Sequence, residues 1–190
     1  MENRITTILG MKGSGKTTLV KALTKNRRRI LFLDPNHEYR QGLIFRSFQD
    51  LLGWHKLGED REQRYICRFE SDAEIEQALE FVWALRGWAF VAEEVDLICS
   101  PTSIDETFSR IIRHGRHRSI DVFAVSRRPA EISKLLTSQS DEIVTFMHEE
   151  DLDLDYLKRR GFDRDQVVAL KQYEYISNTD HEVRTTNPNQ

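Results

Sequence analysis

The 190-residue chain is poor in cysteine, proline and tryptophan, with two, four and three of each. Cys67 and Cys99 stand far apart and form no C-x-x-C pair, which argues against a disulfide-stapled secreted domain and against a cysteine-rich zinc site. Both are read as buried, reduced thiols. No apolar run reaches the roughly 18–20 residues that span a bilayer, so no membrane insertion is expected. No long apolar segment follows Arg4, so no signal peptide is read, and a soluble intracellular protein is expected. Neither charge sign dominates: 28 Lys and Arg against 31 Asp and Glu leave a formal net charge of -3. That excludes a uniformly basic coat for nucleic acid but not a local basic patch, because net charge is silent on distribution. What is present is enough apolar content, 39%, to bury a core, at a length that suits one domain.

Short apolar runs alternate with helical patterns, the signature of parallel βαβ units. Strands are predicted at 5–9, 30–33, 65–69, 88–92, 120–125 and 142–146. Helices are predicted at 16–25, from the Ser71/Glu74 capping box to Gly87, from a second box at Ser103/Glu106 to Gly115, at 129–136 and at 152–160. Residues 40–63 read as part helix, part loop. From Ser177 the composition turns polar without apolar periodicity, which reads as a loose tail.

Gly10-Met11-Lys12-Gly13-Ser14-Gly15-Lys16-Thr17 matches G-x-x-x-x-G-K-[ST] in full, between a strand and a helix. Glycines let the backbone wrap a phosphate and turn its N–H groups inward, and the following helix aims its positive end at the same place. This makes residues 10–18, Thr18 included, the candidate site for ATP. Lys16 is placed to reach the β- and γ-phosphates, and Thr17 to offer a hydroxyl to Mg²⁺.

Glu93 and Glu94 close the apolar run Phe90-Val91-Ala92. Glu93 is assigned to the Mg²⁺ side and Glu94 to the base that activates water. Neighbours on a strand point to opposite faces, so the chain has to begin turning at Glu94 for both to serve one site. A simple kinase has less need of the second acid, and the doublet therefore favours hydrolysis.

Arg110, Arg113, His114, Arg116, His117, Arg118, Arg127 and Arg128 crowd one stretch. Such a cluster suits an arginine finger reaching a neighbouring subunit's ATP, contact with a DNA backbone, or a solvated charged face.

Together these blocks resemble the HerA/FtsK superfamily of P-loop ATPases, which includes DNA-pumping helicases and viral genome-packaging ATPases. The resemblance covers about residues 4–146. It rests on GMKGSGKT at 10–17; on Leu33-Asp34-Pro35-Asn36-His37-Glu38-Tyr39, similar to a D-P-x-G-E-Y segment; on Val91-Ala92-Glu93-Glu94; and on Arg113-His114-Gly115-Arg116 through Ser126-Arg127-Arg128-Pro129, similar to a G-R segment, a strand and [ST]-Q-R-P. His37 stands in place of the usual Gly, Glu93 in place of Asp, and Arg127 in place of a Gln that senses the γ-phosphate.

The resemblance implies a three-layer α/β P-loop NTPase (RecA-like, ASCE) with a mostly parallel central sheet flanked by helices. It further implies a homo-oligomer, a hexameric ring with ATP and Mg²⁺ between subunits. One subunit would supply Lys16, Thr17, Glu93 and Glu94. Its neighbour would supply the finger, Arg116 first and Arg113 second, with Arg127 in the sensor place. DNA is the implied partner, with capsid or other assembly proteins beside it. The location is then cytoplasmic, or virion-associated in a virus. Residues 1–176 read as a single ATPase domain and 177–190 as a polar tail. The function read here is an ATP-hydrolysing DNA translocase of the packaging kind. The alternatives are a nucleotide or small-molecule kinase, and an ATP-binding switch without significant hydrolysis.

Overall fold

A computed structural model of the protein describes residues 4–56 and 63–187. The strands are β1 (Ile5–Leu9), β2 (Arg29–Leu33), β3 (Leu43–Phe45), β4 (Gln63–Cys67), β5 (Ala89–Ala92), β6 (Asp121–Ser126), β7 (Glu142–Thr145), β8 (Glu174–Ser177) and β9 (Arg184–Thr185). The helices are α1 (Lys16–Thr24), α2 (Phe48–His55), α3 (Asp72–Ala84), α4 (Glu106–His114), α5 (Lys134–Gln139), α6 (Asp151–Lys158) and α7 (Arg164–Ala169). Strand order among the described residues is β3-β4-β2-β5-β6-β1-β7-β8-β9. The β1–β7, β2–β4, β2–β5 and β3–β4 pairs are parallel, while β7–β8 and β8–β9 are antiparallel. This is the mostly parallel, helix-flanked α/β sheet expected from the alternating pattern.

The chain forms two compact units, each assembled from separate stretches of sequence. One takes Arg4, the described part of 26–93, and 105–123; the other takes 5–25, 94–104 and the described residues from 124 onward. In the first unit Ile30, Leu31 and Phe32 of β2 and Phe90 and Val91 of β5 are fully buried. Both strands read as unbroken apolar runs because helices cover both faces of a parallel sheet. In the second, Ile8 and Leu9 of β1 lie inside with Val144 of β7. Cys67 and Cys99 are buried free thiols, and burial pushes both thiols up, Cys99 to about 11. Among the described residues no helix is long and apolar enough to cross a membrane.

Several local expectations give way to tertiary structure. Within 40–63 lies β3, paired Leu43↔Tyr65 and Phe45↔Cys67, too short and too exposed to show a period. The box at Ser103/Glu106 does not cap α4. Asp105 does, its carboxylate accepting the Phe108 amide at 2.9 Å, while Ser103 closes a tight turn with Ser100. The segment from Pro129 is no single helix: a 3-10 turn spans Pro129–Glu131, the backbone extends at Ile132, and Ser133 caps α5. Burying Ile132 at 1% exposure sets that break.

The segment after Ser177 is not loose where described. Asn178 exchanges two bonds with Ile143, its side chain accepting at 2.8 Å and its amide donating at 2.9 Å. β9 then pairs with β8. These ties are main-chain and polar, so no apolar period announces them; residues 188–190 of the expected tail lie outside the described residues.

Candidate active site

The loop between β1 and α1 has the conformations that demand glycine: Gly13 at φ 76° and Gly15 at φ 119°. Gly15 also sits where a Cβ would lie 2.9 Å from Tyr173 Cδ1 and 3.1 Å from Phe146 Cε1. Helix α1 starts with no side-chain cap and no acidic residue in its first turn. Its amide donors and positive end are therefore left for an anion. Lys16 is buried at 8% exposure, its ammonium donating to the carbonyls of Gly10 at 2.6 Å and Met11 at 2.9 Å. Ser14 Oγ is buried and has no hydrogen-bond partner among the described residues. Lys12 is exposed, and Met11, Thr17 and Thr18 are half-buried. A loop of glycines at positive φ, a tethered lysine and a buried hydroxyl make a shape that can cradle phosphate oxygens.

Glu94 lies at φ 54°, so the chain does turn immediately after β5, and a 3-10 turn follows at Val95–Leu97. Its carboxylate is ion-paired with Arg127, at the end of β6. The Gly10 amide donates to the carbonyl of Ser126 at 3.3 Å, which sets Arg127 one residue from the strand contact that opens the phosphate loop.

Glu93 belongs to a different constellation. It is 4% exposed and accepts a 2.5 Å hydrogen bond from the Tyr39 hydroxyl. Tyr39 is itself buried, and burial first, then the Glu93 charge, push its phenol upward. The turn that delivers Tyr39 is organised by Asp34, fully buried, which accepts the amides of Glu38 at 2.7 Å and Tyr39 at 3.3 Å and pairs with Arg68 at 3.2 Å. His37 takes φ 59° in this turn, the conformation glycine usually supplies.

The arginine run divides by partner. Arg110 pairs with Glu80 at 2.8 Å and lies 4.7 Å over the Trp83 ring, and Arg118 lies 4.3 Å over the same ring. Arg113 and Arg116 are exposed, with long contacts to Ser109 at 3.4 Å and His117 at 3.5 Å. Helix α4 ends at His114 and a 3-10 turn takes over at Gly115, so the helical face that would have joined His117 to Arg113 is not formed. Arg128 pairs with Asp153 at 2.8 Å, a carboxylate buried to 0% exposure.

Two site features escaped the sequence. His148 is 1% exposed and its Nε2 has no hydrogen-bond partner among the described residues. Burial, then Lys16, then Arg128 push it down to about 3, so it is neutral at pH 7. Nothing marks a lone histidine after a strand as special. The other is the C-terminal strap: the Tyr173 amide donates to Ser14 O at 2.8 Å, Gln172 Nε2 to Gly13 O at 3.2 Å, and the Thr186 amide to Tyr173 O at 2.8 Å. The strap holds the phosphate loop from outside, through one main-chain bond and one from a glutamine side chain, with a further main-chain bond inside the strap, none of which leaves a pattern in the sequence.

By sequence, no family model and no curated protein matches the chain. By structure, it resembles the genome-packaging NTPase B204 of Sulfolobus turreted icosahedral virus 2 in complex with ATPγS, at 17% identity and TM-score 0.75, covering 98% of this chain and 97% of that one. It also resembles VirB4 of Thermoanaerobacter pseudethanolicus, at 11% identity and TM-score 0.69, over 97% and 90% of the two chains. The N-terminal domain of zonular occludens toxin from Neisseria meningitidis matches at 15% identity and TM-score 0.53, over 78% and 79%. With its glycine-shaped loop, uncapped α1 and mostly parallel strand order, the chain has the three-layer α/β fold of a P-loop NTPase.

Proposed function

We propose that this protein is an ATP-hydrolysing DNA translocase of the genome-packaging kind, working as a homo-oligomeric ring. The observation that carries the reading is the loop after β1, with Gly13 and Gly15 at positive φ, its uncapped α1 and its tethered Lys16. The likeness in fold to B204, a genome-packaging NTPase, supports the packaging reading.

In this reading the amides of 13–18 and Lys16 bind the triphosphate, and Glu94 orients and accepts a proton from the attacking water. The Thr17 hydroxyl and the Glu93 carboxylate are each oxygen donors of the kind Mg²⁺ takes. Among the described residues no group of three His, Cys, Asp or Glu could hold a metal ion, so phosphate oxygens of the nucleotide would have to supply the further ligands. Bound Mg²⁺ would neutralise charge developing on those oxygens. Exposed Arg116, and Arg113 after it, are the residues offered to a neighbouring subunit's nucleotide, and DNA is the moving partner.

The test measures Mg·ATP binding by calorimetry, ATP turnover with and without duplex DNA, and particle size by light scattering. DNA should raise turnover, and Lys16→Ala should lower it by about a hundredfold or more. Normal hydrolysis in Lys16→Ala would sink the reading. Stimulation by a nucleoside with indifference to DNA would point to a kinase. Tight binding with no turnover in any oligomeric state would point to a switch.

A further inference from the structure

We infer that Arg28, Arg29, Arg86 and Arg118, at the amino ends of strands in the first unit, form a docking surface for the phosphate backbone of nucleic acid. The inference rests on the DNA reading above for the identity of the polymer, and gives it a place on this chain that needs no bound nucleotide.

The sheet gathers these four side chains at one edge. Arg28 and Arg29 stand at the start of β2, Arg86 shortly before β5 and Arg118 shortly before β6. Those strands are consecutive in the order β2-β5-β6. Ile30 is in register with Ala89, so β2 and β5 begin side by side. The Gly87 amide donates to the Arg118 carbonyl at 3.0 Å, and the Asp121 amide to the Trp88 carbonyl at 2.9 Å, which joins the starts of β5 and β6. At about 4.8 Å between strands the row is about 10 Å long. A DNA strand offers a phosphate for about every 3.4 Å of helix axis, so the row matches about three of them. Asp34, Tyr39 and Glu93 follow the carboxyl ends of β2 and β5, so the arginines occupy the other end of these strands.

A merely solvated charged face is laced with acids, and here the acids are already engaged. Asp121 takes Arg27 at 2.6 Å and the Arg4 amide at 2.9 Å, and Glu80 takes Arg110 at 2.8 Å. Among the described residues none of Arg28, Arg29, Arg86 and Arg118 forms an ion pair. The first three are exposed. Arg118 lies 4.3 Å over the Trp83 ring, which also carries Arg110 at 4.7 Å. An aromatic face orders a guanidinium without neutralising it, so the donors stay available and less freedom is lost on binding. In a chain of net charge -3, this is a local excess of positive charge. A regular row of unneutralised guanidinium forks suits a polymer of evenly spaced phosphates.

The test measures binding of a fluorescent DNA duplex to the full chain, without nucleotide, across a salt series. Arg28→Gln with Arg29→Gln, and Arg86→Gln with Arg118→Gln, should each weaken binding by about tenfold and flatten log affinity against log salt by about 1.8. Arg86→Lys with Arg118→Lys should keep most of the slope, because a backbone contact reads charge. Arg164→Gln removes an arginine held by Asp151 and Asp155 and should change neither quantity. Thermal melts establish that each variant is folded, and ATP turnover without DNA should be the same in both glutamine pairs as in wild type. A wild-type slope in both pairs, an equal loss in Arg164→Gln, or no DNA binding by the wild type would overturn the inference. Tighter binding of polyglutamate than of DNA, with the same sensitivity to the variants, would overturn it in favour of an acidic protein. DNA binding that the two pairs weaken, in a protein that hydrolyses no ATP, would sink the ATPase reading and leave this surface standing.

Discussion

The loop after β1 and the turn after β2 solve the same geometric problem in opposite ways. Each reverses the chain at the carboxyl end of a buried parallel strand. The turn after β2 is built from side chains: Asp34 takes two amides and a guanidinium, Tyr39 reaches Glu93, and the polar groups are matched inside. The loop after β1 is built from backbone: glycines at positive φ, a helix start with no cap, and a buried Ser14 hydroxyl with no hydrogen-bond partner among the described residues. The first is closed and structural. The second keeps its donors for something else. A fold tolerates unmatched polar groups where a ligand completes them.

The comparison can be broken most severely at Gly15. Gly15→Ala must accept φ 119° and push aside the Tyr173 and Phe146 rings, so it should cost about 3 kcal/mol or more and abolish nucleotide binding. Gly13→Ala, at φ 76° with open space around it, should cost about 1 kcal/mol. Denaturant melts of the two variants check this, and equal losses would mean that the C-terminal strap does not grip the loop.

Acid should act next, through the loop's own neighbour His148. Its pKa is depressed in the folded state, to about 3 from an ordinary 6.5. The unfolded chain therefore binds the proton first. Stability is fully present above about pH 6.5 and falls as pH drops toward 3. Between pH 6.5 and 5 the loss should approach about 2 kcal/mol, and His148→Gln should flatten that limb of the stability profile. An unchanged profile in the variant would show that other groups carry the acid sensitivity.

In the side-chain-built turn, Tyr39→Phe should cost about 1–2 kcal/mol by removing a donor from buried Glu93. Turnover should fall with it if Glu93 needs that bond to hold its orientation; chemical denaturation beside an ATPase assay separates the two effects. The smallest effect is expected at the arginine surface. Arg118→Ala removes one of two cations over Trp83 and should cost about 0.5–1 kcal/mol, visible as a small shift in melting temperature.

Legibility followed the range of the interaction. GMKGSGKT was readable because a phosphate loop needs glycines and a lysine at fixed spacing, and the structure realises that need in φ angles. Asp34 through Tyr39 was readable as a motif, but whether the turn survives a histidine in the glycine place was not; His37 takes φ 59° there. The cap of α3 was readable too: Ser71 accepts the Glu74 amide. That of α4 was misread because two polar residues compete there and the fold engages Ser103 in a turn.

Local chemistry was thus set by the chain itself: the phosphate loop, the run of buried strands, the adjacent acids and the arginine-rich segment all follow from residue types at short spacing. Tertiary structure alone decided that Arg127 meets Glu94 thirty-three residues away in sequence, that Tyr39 meets Glu93, and that a polar C-terminal strap holds the loop. Those choices depend on which strand ends become neighbours. Contacts between distant segments rest on backbone hydrogen bonds, side-chain hydrogen bonds and ion pairs of common residue types, which leave no periodic mark in the sequence.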